Sequence, residues 1–188
     1  MTRLPSRRCL FLDRDGVINE CVVREGRPYP PANADEVKYI PGIHALCRAA
    51  RDAGWLVIIA TNQPDVGRGT MARETVETIH AKMLSELAID DIEVSYDPGQ
   101  GVPSLTRKPA PGMLLHAAEK HGIDLAESFM IGDRWRDVAC GKAAGCRTVF
   151  IDYSYDEAMN EEPDFTVPDL ASAALILQPF FNPSPCSP

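Results

Sequence analysis

Two aspartates stand two residues apart in Asp13-Arg14-Asp15-Gly16, and two more stand four apart in Gly132-Asp133-Arg134-Trp135-Arg136-Asp137. In an extended chain the Asp13 and Asp15 side chains point the same way. Like charges that close repel unless a cation sits between or near them. Gly16 permits the sharp turn that frees the loop. If Asp133 follows a strand, Asp137 falls one helical turn later and both reach a single cation. Hard oxygen ligands with no Cys or His cluster suit magnesium. Each pair also has a plain reading, since Asp-Gly is an ordinary turn and acids are favoured at helix starts. An EF-hand loop is excluded, because its third ligand position would be Val17. Thr61-Asn62 offers a hydroxyl and backbone N–H groups that can hold phosphate oxygens. Lys108, in Arg107-Lys108-Pro109, is a compact point charge suited to phosphate, although alone it reads equally as a solvated loop lysine.

These residues need elements that bring them to one place. Cys9 to Leu12 reads as a buried strand that stops at Asp13. Residues 22–39, with Pro28, Pro30 and Pro31, read as a surface excursion. Pro41-Gly42 opens a helix carrying Ile43, Leu46, Cys47 and Ala50 on one face, and Gly54 closes it. The run Trp55 to Ala60 is continuously apolar, as in a strand covered on both faces of a parallel sheet. Thr70 is the expected N-cap of a helix with Val76, Ile79, Met83, Leu84 and Leu87 on one face. Ile92 to Tyr96 is a third strand, and 97–110 is a Pro- and Gly-rich loop. A helix framed by Pro111 and Gly122 follows, then a strand over Phe129–Ile131, a helix over 135–144 ending at Gly145, and a strand over 147–151. This alternation predicts a three-layer α/β/α, Rossmann-like fold around a parallel sheet, without a large cap domain. Ligands of such sheets bind beyond the carboxyl ends of the strands, where Asp13, Asp15, Thr61, Asn62, Lys108, Asp133 and Asp137 all fall.

The 188 residues suffice for one domain with one core, expected over 1–178, followed by a Pro-rich, disordered tail over 179–188. A formal net charge of -8 argues against a partner that is nucleic acid or an anionic membrane surface. No apolar run approaches a membrane span, and no signal peptide is evident. The six cysteines form no CxxC pair and read as small hydrophobes with reduced thiols, which places the chain in the cytoplasm. His44, His80, His116 and His121 lie on predicted helices without metal spacing and read as surface or satisfied histidines. Trp135 is open between packing and substrate contact.

The order and spacing of these segments resemble the haloacid dehalogenase (HAD) superfamily of aspartate-nucleophile phosphotransferases, over residues 9–152. "FLDRDGVIN" is similar to its first motif, "TNQP" to its second, "RKPAPGM" to its third and "GDRWRD" to its fourth. "DRDGVIN", Pro41-Gly42, "GRG" at Gly67-Arg68-Gly69 and "RKPAPGM" resemble the capless subgroup that includes D-glycero-D-manno-heptose 1,7-bisphosphate phosphatases and histidinol-phosphate phosphatase domains. That subgroup usually carries a zinc loop before the RKP motif. Here the stretch is "YDPGQGVPSLTRKP", with no Cys or His.

The resemblance implies a magnesium-dependent phosphatase of a phosphorylated sugar, acting through an aspartyl-phosphate. It assigns catalysis to Asp13 (nucleophile), Asp15 (acid and base), Thr61 and Lys108. It assigns magnesium to Asp13, the Asp15 carbonyl, Asp133 and Asp137, and implies no zinc. Asn62, Gln63, Arg68, Arg107 and Arg134 are expected to bind substrate. The expected partner is a small phosphorylated molecule, and the chain is expected to be a monomer. Histidinol phosphate, or a non-catalytic HAD-like binding domain, are the alternatives. Phosphatase domains that process nucleic-acid ends share the superfamily, and the net charge counts against them.

Overall fold

A computed structural model of the chain describes residues 6–24, 27–102 and 104–182. Along the chain run β1 (Cys9–Leu12), β2 (Val22–Arg24), β3 (Arg27–Tyr29), α1 (Ile43–Asp52), β4 (Leu56–Asn62), α2 (Pro64–Gly67), α3 (Arg73–Glu86) and β5 (Asp91–Ser95). Then follow α4 (Gly112–His121), β6 (Phe129–Gly132), α5 (Trp135–Ala144), β7 (Arg147–Ile151), β8 (Phe165–Val167) and α6 (Leu170–Phe181). Six strands form one sheet in the order β5-β4-β1-β6-β7-β8, and every pairing in it is parallel.

The period-2 alternation of the strands sorts their side chains into two layers. Leu10, Leu12, Val57, Ile59, Ile131 and Val149 pack under α1, α3 and α6. Cys9, Phe11, Ile58, Ala60 and Met130 pack under α4 and α5, against Met113, Leu114, Ala117 and Cys140. The fold is therefore the expected three-layer α/β/α sandwich. Cys9, Cys47, Cys140 and Cys146 are free thiols within these layers, serving as small hydrophobes. Among the described residues no helix is long and apolar enough to cross a membrane.

Four local expectations change. The excursion over 22–39 contains the antiparallel hairpin β2–β3 and a 3-10 turn over Ala34–Glu36, additions too small for a cap domain. Helix α3 begins at Arg73 with Ala72 as its N-cap, because Thr70 is already committed: its N–H and its hydroxyl both donate to the Asp65 carbonyl. On α3 His80 is buried while Leu84 is 46% exposed, so the inward stripe takes in His80 in place of Leu84. Finally, α6 carries helix through Pro179 to Phe181, where a tail was expected. Phe181 is buried and stands edge-on to Trp55 at 5.3 Å, and this packing outweighs the hydrogen bond that Pro179 cannot donate. Residues 183–188 of the expected tail lie outside the described residues.

Candidate active site

Strand β1 lies between β4 and β6, so the three strand ends that carry Asp13, Thr61 and Asp133 are neighbours. Alternation then divides the first motif. Asp13 shares the parity of Cys9 and Phe11, and it meets the loop before α4 and the start of α5. Arg14 shares the parity of Leu10 and Leu12 and turns toward α3.

Lys108 is the hub of the Asp13 side. It is 2% exposed, and its ammonium lies 2.8 Å from Asp13 Oδ1 and 2.5 Å from Asp137 Oδ1. It also donates to the Ala60 carbonyl at 2.7 Å. Asn62 places it: the Asn62 amide donates to the Lys108 carbonyl and accepts from the Lys108 N–H, both at 3.0 Å. Asp13 Oδ1 accepts in addition from the Arg14 N–H at 2.8 Å. Oδ2 is thus the Asp13 oxygen without a hydrogen bond among the described residues. Asp137 Oδ2 accepts from the Arg134 N–H at 3.0 Å, half of a capping box at the start of α5.

Carboxylate oxygens of Asp13, Asp133 and Asp137 lie within 4.8 Å of one another. Asp133 is 1% exposed, and its buried Oδ1 has no hydrogen-bond partner. Three carboxylates thus cluster beside one ammonium, which is bonded to Asp13 and Asp137. Burial, and then the charge of Asp137, push the Asp13 carboxyl up to about 6. Burial and the charges of Asp13 and Asp137 raise Asp133. Burial alone would lower Lys108, but Asp13 and Asp137 outweigh it and hold the ammonium charged. A hard divalent cation would complete Asp133 Oδ1 and relieve the excess negative charge, so the residues fit magnesium. Gly16 keeps the place open. At its φ of +92°, a Cβ would lie 2.0 Å from Asp133 Oδ2.

Asp15 stands apart from this triad. Its Oδ2 accepts from Arg14 Nη2 at 2.8 Å and from Gln63 Nε2 at 2.9 Å. Its Oδ1 accepts from Asn19 Nδ2 at 2.9 Å. Burial pulls its pKa up, but Arg14, Asn19 and Gln63 outweigh that and hold it below the usual carboxylate range. Gln63 also donates to Thr61 Oγ1 at 3.0 Å, which leaves the Thr61 proton free to be donated elsewhere.

These groups line a cavity of about 240 Å3, whose wall also carries Arg68, Arg107, Arg134 and Arg136. The expected residues therefore converge, with two qualifications. Gln63 borders the cavity, and both ends of its amide are engaged by Arg14, Asp15 and Thr61. The Asn62 side chain is likewise committed to Lys108. Arg107 donates to the Asp97 carbonyl at 2.8 Å and Arg68 to the Pro98 carbonyl at 3.1 Å. Burial, and then the charges of Arg136 and Arg68, lower the Arg107 pKa, the mark of a cationic cluster. Arg134 forms a bidentate ion pair with Glu157.

Sequence reasoning missed Arg14, His80, Arg136 and Glu157. Arg14 was visible as a charge whose parity turns it into the apolar layer. Trp135 lines a neighbouring cavity of about 440 Å3, with the Arg136 guanidinium 5.5 Å from its ring centre.

The family profile described as HAD-hydrolase-like matches residues 105–173. A D-glycero-beta-D-manno-heptose-1,7-bisphosphate 7-phosphatase of Rhodopseudomonas palustris is 38% identical over 152 residues, covering 75% of this chain and 81% of that protein. The chain belongs to the HAD phosphatases. A D-glycero-D-manno-heptose-1,7-bisphosphate 7-phosphatase of Thermosynechococcus vestitus is 31% identical over 89% of this chain and 93% of its own length. Among solved structures, a D,D-heptose 1,7-bisphosphate phosphatase of B. bronchiseptica, complexed with magnesium and phosphate, superposes with a TM-score of 0.76. It is 29% identical, over 90% of this chain and 97% of that one. This HAD phosphatase thus places its four motifs at the rim where the parallel sheet predicts a site.

Proposed function

We propose that the chain is a magnesium-dependent phosphatase of a phosphorylated sugar, D-glycero-D-manno-heptose 1,7-bisphosphate or a close analogue, working through an aspartyl-phosphate. The observation that carries this reading is the buried set of Asp13, Asp133 and Asp137 around Lys108. Asp13, Asp133 and Asp137 would hold the cation, which supplies charge neutralisation so that an anionic nucleophile can meet an anionic phosphate.

The chain's own groups do the rest. Lys108 and the Arg14 N–H fix Asp13 through Oδ1, leaving Oδ2 to attack phosphorus and form the phosphoaspartate. Lys108 and the Thr61 hydroxyl stabilise the transferring oxygens. Asp15 donates a proton to the departing sugar oxygen and then takes one from the hydrolytic water. At rest Arg14 keeps Asp15 ionised. A bound dianionic phosphate opposes that pairing and returns the carboxyl toward its acid form.

Arg68, Arg107 and Arg136 favour a second anionic group on the substrate. This supports a bisphosphate over histidinol phosphate, whose far end carries an amine and an imidazole. The stretch from Tyr96 to Pro109 carries no Cys or His, so no zinc is proposed. The enzyme is proposed to act as a cytoplasmic monomer. Phosphate release from the heptose bisphosphate, a hexose bisphosphate and histidinol phosphate, with magnesium or with EDTA, tests the reading. Activity only with magnesium and highest on a bisphosphate is expected, as is a loss of at least about 1000-fold for Asp13→Asn. A loss of only about tenfold overturns the nucleophile assignment.

A further inference from the structure

Arg14 has no exposed side-chain surface. Each of its three guanidinium nitrogens nevertheless has a partner. Nε lies 3.2 Å from both Asp15 oxygens, and Nη2 reaches Asp15 Oδ2 and Gln63 Oε1, each at 2.8 Å. The remaining nitrogen, Nη1, stands 3.3 Å from His80 Nε2. An arginine gives up no proton, so His80 Nε2 must be the acceptor and the ring must be the neutral tautomer with its proton on Nδ1. Burial, and then the charge of Arg14, lower His80 to about 4, which agrees with that tautomer.

A buried ion pair of this kind adds little to stability compared with apolar groups of the same volume. What it does supply is geometry. A guanidinium is a rigid plane, and pinning it at two edges fixes where the third can point. Gln63 pins one edge from just beyond β4, at the start of α2, and His80 pins the other from α3, 66 residues along the chain from Arg14. The edge left over holds Asp15.

We infer that His80 is a positioning residue for proton transfer, acting through Arg14 to hold the Asp15 carboxylate in register with the leaving oxygen. The inference rests on the reading of Asp15 as the acid and base. His80 itself touches no substrate. Removing its acceptor leaves a buried N–H without a partner, and the guanidinium turns to find one. Asp15 then turns with it. The damage should fall on substrates whose leaving group needs a proton, and spare those whose leaving group departs as a stable anion.

The test compares wild type, His80→Leu, His80→Gln and Asp15→Asn on two substrates with magnesium present: the preferred sugar phosphate and p-nitrophenyl phosphate, whose phenolate leaves unprotonated. His80→Leu is expected to lose at least about tenfold in kcat/KM on the sugar phosphate and less than about threefold on the aryl ester. The ratio kcat/KM is compared because it reports the steps up to departure of the leaving group and not the hydrolysis of the phosphoaspartate that both substrates share. His80→Gln, whose amide oxygen can replace Nε2 as acceptor, is expected to restore most of the loss. Equal losses on both substrates, or none on either, overturn the inference, because a merely structural His80 would not distinguish leaving groups. If Asp15→Asn discriminates between the substrates and His80→Leu does not, only the role of His80 fails. If Asp15→Asn does not discriminate, the acid–base reading fails and this inference falls with it. Should His80→Leu not fold, Arg14→Lys keeps the buried charge but cannot span Asp15 and His80 together. It is expected to give the same split between substrates, and a uniform loss counts against the proposal.

Discussion

Replacing Lys108 by Met tests the electrostatic reading of the site most directly. The apolar stem is kept, so the substitution removes little packing. It removes an ammonium bonded to Asp13, Asp137 and the Ala60 carbonyl at 2.5–2.8 Å in a place that is 2% exposed. Taking one partner from a buried ion pair typically costs about 3–5 kcal/mol, because the other charge stays behind. Here three carboxylates stay behind. For a chain of this size that cost corresponds to a Tm about 10 °C lower in EDTA at neutral pH. The effect has a definite pH sign. Asp13 titrates at about 6 with Lys108 present, and higher without it, so the uncompensated charge exists above that pH and disappears on acidification. Thermal unfolding in EDTA should show a large gap between variant and wild type at pH 7.5 that narrows at pH 5. Magnesium should rescue stability without rescuing turnover, since the cation replaces the charge but not the donor to the transferring phosphoryl group. A variant as stable as wild type in EDTA at pH 7.5, or a gap that does not change with pH, would refute the reasoning.

In the metal-free wild type, Asp13 alone should add up to about 3 kcal/mol as the pH falls from about 6 toward 4, because the native carboxyl binds its proton before the unfolded chain does. His80, held neutral down to about 4, should withdraw about as much between pH 6.5 and 4, so stability should stay nearly flat there. Denaturant titrations with and without magnesium check this: with the metal present Asp13 stays ionised, and stability should then fall on acidification through the His80 contribution alone. Gly16→Ala forces a Cβ against Asp133 Oδ2 at a φ of +92°; calorimetry should show magnesium binding weakened at least about tenfold with the fold intact by circular dichroism. Asn62→Ala frees both backbone bonds that seat Lys108, and kcat should fall by about ten- to a hundredfold, checked by steady-state phosphate release. Arg107→Ala should raise KM about tenfold for a sugar bisphosphate and leave KM for the matching monophosphate within about twofold, as read from parallel kinetics.

Five strands of the sheet were legible because they are short apolar runs ending in polar residues, a pattern that tolerates few alternatives; the three-residue β8 (Phe165–Val167) in a polar stretch was not. Helix α5 and strand β7 end where Gly145 and Ile151 said they would. What escaped notice depends on contacts between residues distant in sequence. Pro179 reads as a helix breaker until Phe181 is seen against Trp55. His80 reads as a surface or a satisfied histidine, and only the roll of α3 onto Arg14 decides for the second. Gln63 sits inside a motif, so its residue type invites a ligand role. Only the geometry shows that its amide is consumed by Arg14, Asp15 and Thr61. Motif spacing reveals which residues meet. It does not reveal which of their polar atoms remain free.

That distinction orders the binding events. The net charge of -8 and the buried triad of Asp13, Asp133 and Asp137 both oppose an incoming phosphate. Opposing them are Lys108, already bonded to two of those carboxylates, and the arginines at the wall, of which Arg134 is paired with Glu157 and Arg107 is bonded to the Asp97 carbonyl. The arginines share the cavity wall and attract an anion to it, but the ion pairs to Asp13 and Asp137 come from Lys108 among the described residues. A phosphate therefore gains its inner position only after a cation has filled the orphaned side of Asp133, while an outer anionic group can bind without one. Inorganic phosphate should accordingly bind weakly in EDTA and tightly with magnesium, whereas the arginine-dependent part of a bisphosphate's affinity should survive metal removal.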